Sequence, residues 1–323
     1  MKKLKLIGNI LTVLAIVFVL RRLDSEAWRA ILVPEKLPAW LLFLALYTLI
    51  VLASFIPWQV LVCVFSERPD TLQRNKSDFC FIFCKANIMK YVPGNVFQYV
   101  GRNEIADVLA LDHVNVAMAT LSEVLLMVFT ALVISLVLIG AYTLAYLQGQ
   151  LLRILLLALA VLLLLGLLGW WLFRKKKEKL REYYLYYKRI LTSKRAVRTL
   201  LLCTAAYAVI FACIGLLFVL VLRTCTQSRL EGDSLRVVIG AFILSWLAGY
   251  ITPGAPGGIG VRELIMTLVF SGGSILQPEA VIAAVAAYRI VNTLGDVAAF
   301  AIAFAVKQIC RRKKPDRSRE EIK

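Results

Sequence analysis

A chain of 323 residues, 60% of them hydrophobic and with a mean hydropathy of +0.78, owes that value to apolar runs near or above the roughly 20 residues that cross a bilayer. It reads as an integral membrane protein. The formal charge of +18 sits almost wholly beside those runs, at Lys2, Lys3 and Lys5, between residues 174 and 198, and from Lys307 onward, which excludes a nucleic-acid binder and puts these basic segments in the cytoplasm.

The first run, 4–20, is followed directly by Arg21 and Arg22 with no small-x-small cleavage pattern, so it reads as an uncleaved span. Further spans are expected at 40–65, 114–147, 151–173, 200–222 and 280–306, each bounded by charge, Gly or Pro. Both termini then face the cytoplasm, and 147–150 and 271–279 lie outside. His113, the one histidine, has no companions at metal-ligand spacing and is expected at a helix entrance; Cys80 and Cys84 share a helix face and read as packing residues. No metal and no cofactor is expected.

Two apolar segments, 78–91 and 236–250, are only about 14 residues long, the length of a re-entrant element. Each runs into a break. The first continues YVPGNVFQYVGRNE, interrupted at Pro93 and Gly94; the second continues YITPGAPGGIGVRE, interrupted at Pro253 and Gly254 and again at Pro256, Gly257, Gly258 and Gly260. Pro93 to Arg102 spans the same distance as Pro253 to Arg262, and the copies are offset by 160 residues. The offset also relates the starts of the second and fifth spans. The expected fold is therefore an all-α polytopic membrane protein of about six spans plus two re-entrant helical hairpins, in two inverted-topology repeats. Residues 1–149 form the first repeat, 150–310 the second, and 311–323 a basic cytoplasmic tail. Broken backbone at membrane depth survives only where protein or a water-filled cavity satisfies it, and paired breaks in related halves point to a transport site.

The charged residues near those breaks are the candidate substrate-binding set. Arg102 and Arg262, the latter followed by Glu263, sit where a helix restarts, and a guanidinium there suits a phosphate; the alternative is that each snorkels to the interface or caps a neighbour. Glu123 and Arg289 lie at similar depth in their spans, where opposite charges facing a shared interior neutralise each other, either as a static lock or along a substrate path. Arg289, Asn292, Thr293 and Asp296 fall on one helical stripe. Lys85 and Lys90 on the first hairpin either attract lipid phosphate or mark the cytoplasmic edge, the second reading being preferred. The stretch EYYLYYKRILTSKR fits an amphipathic segment on an anionic inner leaflet, as does the basic tail.

PGGIGVREL at 256–264, with the upstream VPGNVFQYVGR and with YRIVNTLGD at 288–296, resembles the membrane region of the lysylphosphatidylglycerol synthases, a flippase-like superfamily. The resemblance implies paired inverted halves with re-entrant hairpins that move lipids between leaflets, aminoacylated phosphatidylglycerol among them. In the full synthases a cytosolic aminoacyltransferase domain follows; here a short basic tail ends at Lys323, so a non-enzymatic role is expected. The expected function is a flippase-like transporter of an anionic phospholipid or lipid-linked precursor in the cytoplasmic membrane. Lysyltransferase-type lipid modification and a scaffold for envelope lipid or glycan enzymes are the alternatives.

Overall fold

The computed structural model describes residues 34–66, 75–92, 97–146, 192–226, 232–252, 256–258, 260–270 and 278–313, with a few single positions beside them. The expected spans at 4–20 and 151–173, both Pro-Gly dipeptides, the boundary at 149–150, and most of the basic loop and tail lie outside the described residues. Every described element is helical: α1 Leu37–Ala53, α2 Phe55–Phe65, α3 Lys76–Ile88, α4 Phe97–Arg102, α5 Glu104–Leu109, α6 His113–Tyr146, α7 Lys194–Thr226, α8 Asp233–Ile251, α9 Val261–Phe270 and α10 Pro278–Lys313.

Local chemistry sets several of these boundaries. Helices α1 and α2 form one long apolar segment, Pro34–Phe65, interrupted at Ser54. Pro57 supplies no N–H to the carbonyl one turn back, and Ser54 Oγ donates to the Ile50 carbonyl at 2.7 Å, so the regular backbone ladder is interrupted there. Helix α6 begins at His113, as its place in the sequence suggests, because Asp112 Oδ1 accepts from the backbone N–H of Val114 at 2.7 Å and of Asn115 at 3.0 Å.

The segment expected at 236–250 is longer than its apolar run. Asp233, Ser234 and Leu235 continue the helix, since backbone hydrogen bonding does not require apolar side chains, and the resulting 19 residues are long and apolar enough to cross a bilayer by length and composition. With Pro34–Phe65, α6, α7 and α10, five helices among the described residues meet that standard. Their outer faces carry the solvent signature. On α6, Leu121, Leu125, Phe129, Val133 and Val137 recur every four residues and are all exposed, while Glu123, Thr130 and Ser135 are buried. Apolar outside and polar inside is the arrangement hydrocarbon demands.

Helix α10 packs on α1, α3, α7 and α9, and α6 packs on α2, α7 and α8. Glycines permit several of these approaches. A Cβ at Gly240 on α8 would meet Ile139 Cγ1 at 2.6 Å, and one at Gly295 on α10 would meet Tyr47 Cδ1 at 2.4 Å. Because the Tyr47 ring is rigid and buried, Gly295→Ala is expected to push α1 from α10 and cost about 1–3 kcal/mol. Thermal unfolding in detergent checks it; an unchanged midpoint would mean that the ring has room to move.

The spacing of 160 recurs in the element bounds. Added to the ends of Pro34–Phe65 it gives 194 and 225, and α7 runs Lys194–Thr226. The packing then crosses between the parts it relates. Helix α3 packs on α10, while its counterpart α8 packs on α6; α1 packs on α10, while α7, the counterpart of α1 and α2 together, packs on α6 as well as on α10. Helix α10 itself continues through position 310 to Lys313.

Candidate functional site

The crossed packing leaves a cavity of about 100 Å³ whose lining includes Arg102, Arg262, Glu123, Lys90, Tyr47 and Tyr207. It is smaller than the roughly 300–1,000 Å³ clefts that enclose a drug-sized ligand. A small polar group fits; acyl chains do not.

Arg102 comes from the end of α4, and its guanidinium lies 4.4 Å from the ring centroid of Phe83 and 5.6 Å from that of Trp58. Trp58 is oriented by donating Nε1–H to Thr120 Oγ1 at 3.1 Å. Nη1 of Arg102 donates to Glu123 Oε2, and Tyr207 Oη donates to Glu123 Oε1 at 3.0 Å. The pair is almost fully withdrawn from solvent, with side-chain exposures of 6% and 1%. Desolvating two such charges costs several kcal/mol each, so the pair is sustained by close geometry rather than by any intrinsic advantage of burying ions.

Arg262 occupies the first turn of α9. Its side chain crosses a point where two backbones nearly touch: a Cβ on Gly258 would sit 2.9 Å from Gly249 Cα and 3.1 Å from Arg262 Nε. Gly258 also holds φ at +72°, so both conformation and space require glycine there. Among the described residues neither Arg102 Nε nor Arg262 Nε has a hydrogen-bond acceptor, although both atoms are buried. Each such donor costs about 1–3 kcal/mol when it stays unpaired.

Asp296 anchors a second cluster. Its Oδ2 accepts from Tyr91 Oη at 2.6 Å and pairs with Lys90 Nζ at 2.7 Å, while Oδ1 accepts from Asn87 Nδ2 at 2.7 Å and from Tyr47 Oη at 3.4 Å. Thr293 Oγ1 donates to the Tyr91 hydroxyl at 3.4 Å. A third cluster ties the glycine turn to α10. Arg289 Nε meets Glu263 Oε1 at 2.7 Å, and Nη2 donates to Glu263 Oε2 at 2.7 Å and to the Gly258 carbonyl at 2.9 Å. Gly260 N–H donates to Glu263 Oε2 at 3.0 Å, so Glu263 also caps α9.

The arrangement corrects several expectations. Glu123 and Arg289 do not neutralise each other: Arg102 reaches Glu123 because α4 packs on α6, and Glu263 reaches Arg289 because α9 packs on α10. Lys85 and Lys90 are ion-paired within the protein rather than free. Helix α3 packs against α10, α4 and α5, so both cations turn inward, Lys85 to Glu104 Oε2 at 2.8 Å and Lys90 to Asp296. Only Arg262 sits at the start of a helix; Arg102 closes one, since the chain turns at Asn103 before α5. The stripe on α10 divides. Asp296 and Thr293 face Tyr91, Arg289 faces the glycine turn, and Asn292 is buried with no partner for its Oδ1 among the described residues. Of the breaks, Pro256, Gly257 and Gly258 form a 3₁₀ turn, and a Cβ on Gly257 would meet the Tyr91 ring at 3.1 Å.

Sequence reasoning passed over Asn87 and Tyr91, although with Lys90 their i, i+3, i+4 spacing puts them on one face. It also missed Tyr47 and Tyr207, which the offset of 160 relates. Each of these tyrosines donates to a buried carboxylate, Tyr47 to Asp296 and Tyr207 to Glu123.

Residues 101–299 match the family described as the lysylphosphatidylglycerol synthase TM region. No curated protein and no solved structure matches the chain. The match spans more than half of the sequence and contains Arg102, Arg262 and Glu123 of the cavity lining as well as Asp296. The chain belongs to this family, which connects it with membrane lipids.

Proposed function

We propose, from membership of the lysylphosphatidylglycerol synthase TM-region family, that this protein moves an anionic phospholipid or lipid-linked precursor between the leaflets of the cytoplasmic membrane. One observation carries the reading. Two arginines at equivalent distances from the two breaks line one cavity, and each has a buried Nε–H without an acceptor among the described residues. Forked, permanently charged donors suit phosphate oxygens, and a group that supplied acceptors would remove the unpaired-donor cost at both positions.

In this reading the two broken segments are re-entrant and close the cavity from opposite faces, in two inverted repeats. The termini are cytoplasmic, and the basic segments 174–198 and 311–323 lie on the anionic inner leaflet. The phosphate crosses through the cavity while its acyl chains remain in the bilayer. The chain moves its lipid without chemically modifying it.

The reading is tested with the purified protein in liposomes, following leaflet exchange of short-chain fluorescent phosphatidylglycerol and of an uncharged lipid analogue by dithionite quenching. Faster exchange of the anionic probe, with little effect on the uncharged one, is expected. Failure to accelerate any member of a panel that adds aminoacylated and polyprenyl phosphate lipids would reject transport and favour the scaffold.

A further inference from the structure

We propose that Glu123 is a tethered competitor for the ligand: it holds Arg102 until a phosphate bridging Arg102 and Arg262 displaces it, and so makes the cavity select phosphates over carboxylates. The inference rests on the phosphate reading above and adds the residue that sets its selectivity.

Glu123, which lines the cavity, and Asp296, which lies behind the lining residues Asn87, Lys90 and Tyr47, are held in different ways. Asp296 has four donors, Asn87, Lys90, Tyr91 and Tyr47, divided between its two oxygens. Among the hydrogen bonds of the described residues Glu123 has two, with Oε2 on Arg102 and Oε1 on Tyr207. Asp296 is thus a fixed clamp, whereas Glu123 can release one oxygen and keep its hydrogen bond to Tyr207. Arg102 is also incompletely used. Its Nη1 serves Glu123, but among the described residues its buried Nε–H has no acceptor, and neither has that of Arg262, which lines the same cavity.

A ligand that takes Arg102 must outcompete a carboxylate already attached to the scaffold. Tethering gives Glu123 an effective concentration in the millimolar range or above, so a free carboxylate offering the same chemistry gains little by exchange. A phosphate that reaches Arg262 as well adds charge-assisted hydrogen bonds that Glu123 does not make, and it satisfies donors left unpaired in its absence. The selectivity follows from the difference between those two exchanges.

The test uses the full chain purified in detergent and calorimetric titration with dihexanoylphosphatidic acid, inorganic phosphate and hexanoate. Wild type is expected to bind the short-chain phosphate lipid in preference to hexanoate. Glu123→Gln, which keeps the shape but not the charge, should tighten binding of both by about tenfold or more and favour hexanoate disproportionately, so that the ratio of the two dissociation constants shrinks. If wild type binds the phosphate lipid and Glu123→Gln leaves both constants and their ratio unchanged, the competitor role is overturned while the phosphate reading stands. If neither protein binds any phosphate probe, both are overturned. Inorganic phosphate binding as tightly as the lipid, with the same response to the substitution, would support the competitor role and assign the site to free phosphate. Should the glutamine variant fail to fold with Arg102 unpaired, Glu123→Asp keeps the charge but withdraws it by one methylene. It should shift the constants in the same direction by a few-fold, and no shift would overturn the proposal.

Discussion

Asp296→Ala is expected to lower stability by about 3–5 kcal/mol, the usual cost of removing one partner from a buried ion pair. The Asp296 carboxylate is fully withdrawn from solvent, and Lys90 Nζ lies 2.7 Å away on a side chain that is itself 16% exposed. Alanine leaves that ammonium without its counter-charge and strands the donors of Tyr91 and Asn87 in the same step. These partners come from α3 and the turn after it, and Asp296 comes from α10, so the loss falls on the contact between the two. Thermal unfolding in detergent, followed by the fluorescence of the six tryptophans, measures it. Asp296→Asn should lose less, because the amide oxygen still accepts from Tyr91 or Asn87. Combining it with Lys90→Met should recover part of the loss, since the uncompensated cation is then gone. A midpoint unchanged in Asp296→Ala would show that the cluster does not hold these helices together.

Arg262→Ala is expected to reduce leaflet exchange of the anionic probe by at least about tenfold while leaving the fold intact, a separation that Asp296→Ala cannot give. Arg262 forms no ion pair with a carboxylate among the described residues, so its removal creates no uncompensated charge of the kind left by Asp296→Ala. The loss of its stem from the Gly249–Gly258 contact costs packing alone. What disappears is a forked donor in the cavity wall. Losing charge-assisted hydrogen bonds worth about 1.5–3 kcal/mol corresponds to roughly one to two orders of magnitude in a rate that depends on them. Arg262→Lys should keep part of the rate, because an ammonium retains the charge without the planar fork. Exchange of the uncharged lipid should be insensitive to both substitutions. Undiminished exchange of the anionic probe by a folded Arg262→Ala protein would show that the phosphate is not read at this residue.

Both experiments depend on features that differ in how far they can be read along the chain. Arg102 and Arg262 were legible because each lies at the same distance from a Pro-Gly interruption, and two matched interruptions are improbable in backbone that must satisfy itself in hydrocarbon. Glu123 and Asp296 were legible as buried charges because each stands deep in an apolar run. Their partners were not legible. Depth alone suggested Arg289 for Glu123, but several cations lie at comparable depth, and a charge pattern has no term for which helix stands beside which. Lys90 shows the same limit from the other side: next to a break it looks like an edge residue, and it becomes a buried partner because α3 packs on α10. The tyrosines Tyr47 and Tyr207 sit in spans that read as uniformly apolar, and their hydroxyls matter through the carboxylates they reach.

The sequence by itself determined that this is a helical membrane protein with two related interruptions carrying arginines, because run length, charge placement and backbone satisfaction are set by the bilayer acting on each segment separately. Only the tertiary structure decided that Arg102 takes Glu123, that Lys90 takes Asp296, and that the two arginines share one cavity. Ion pairing and hydrogen bonding act over about 3 Å. Their outcome therefore depends on the rotation and sliding of helices far apart in sequence, which packing at positions such as Gly240 and Gly295 sets and no local pattern encodes.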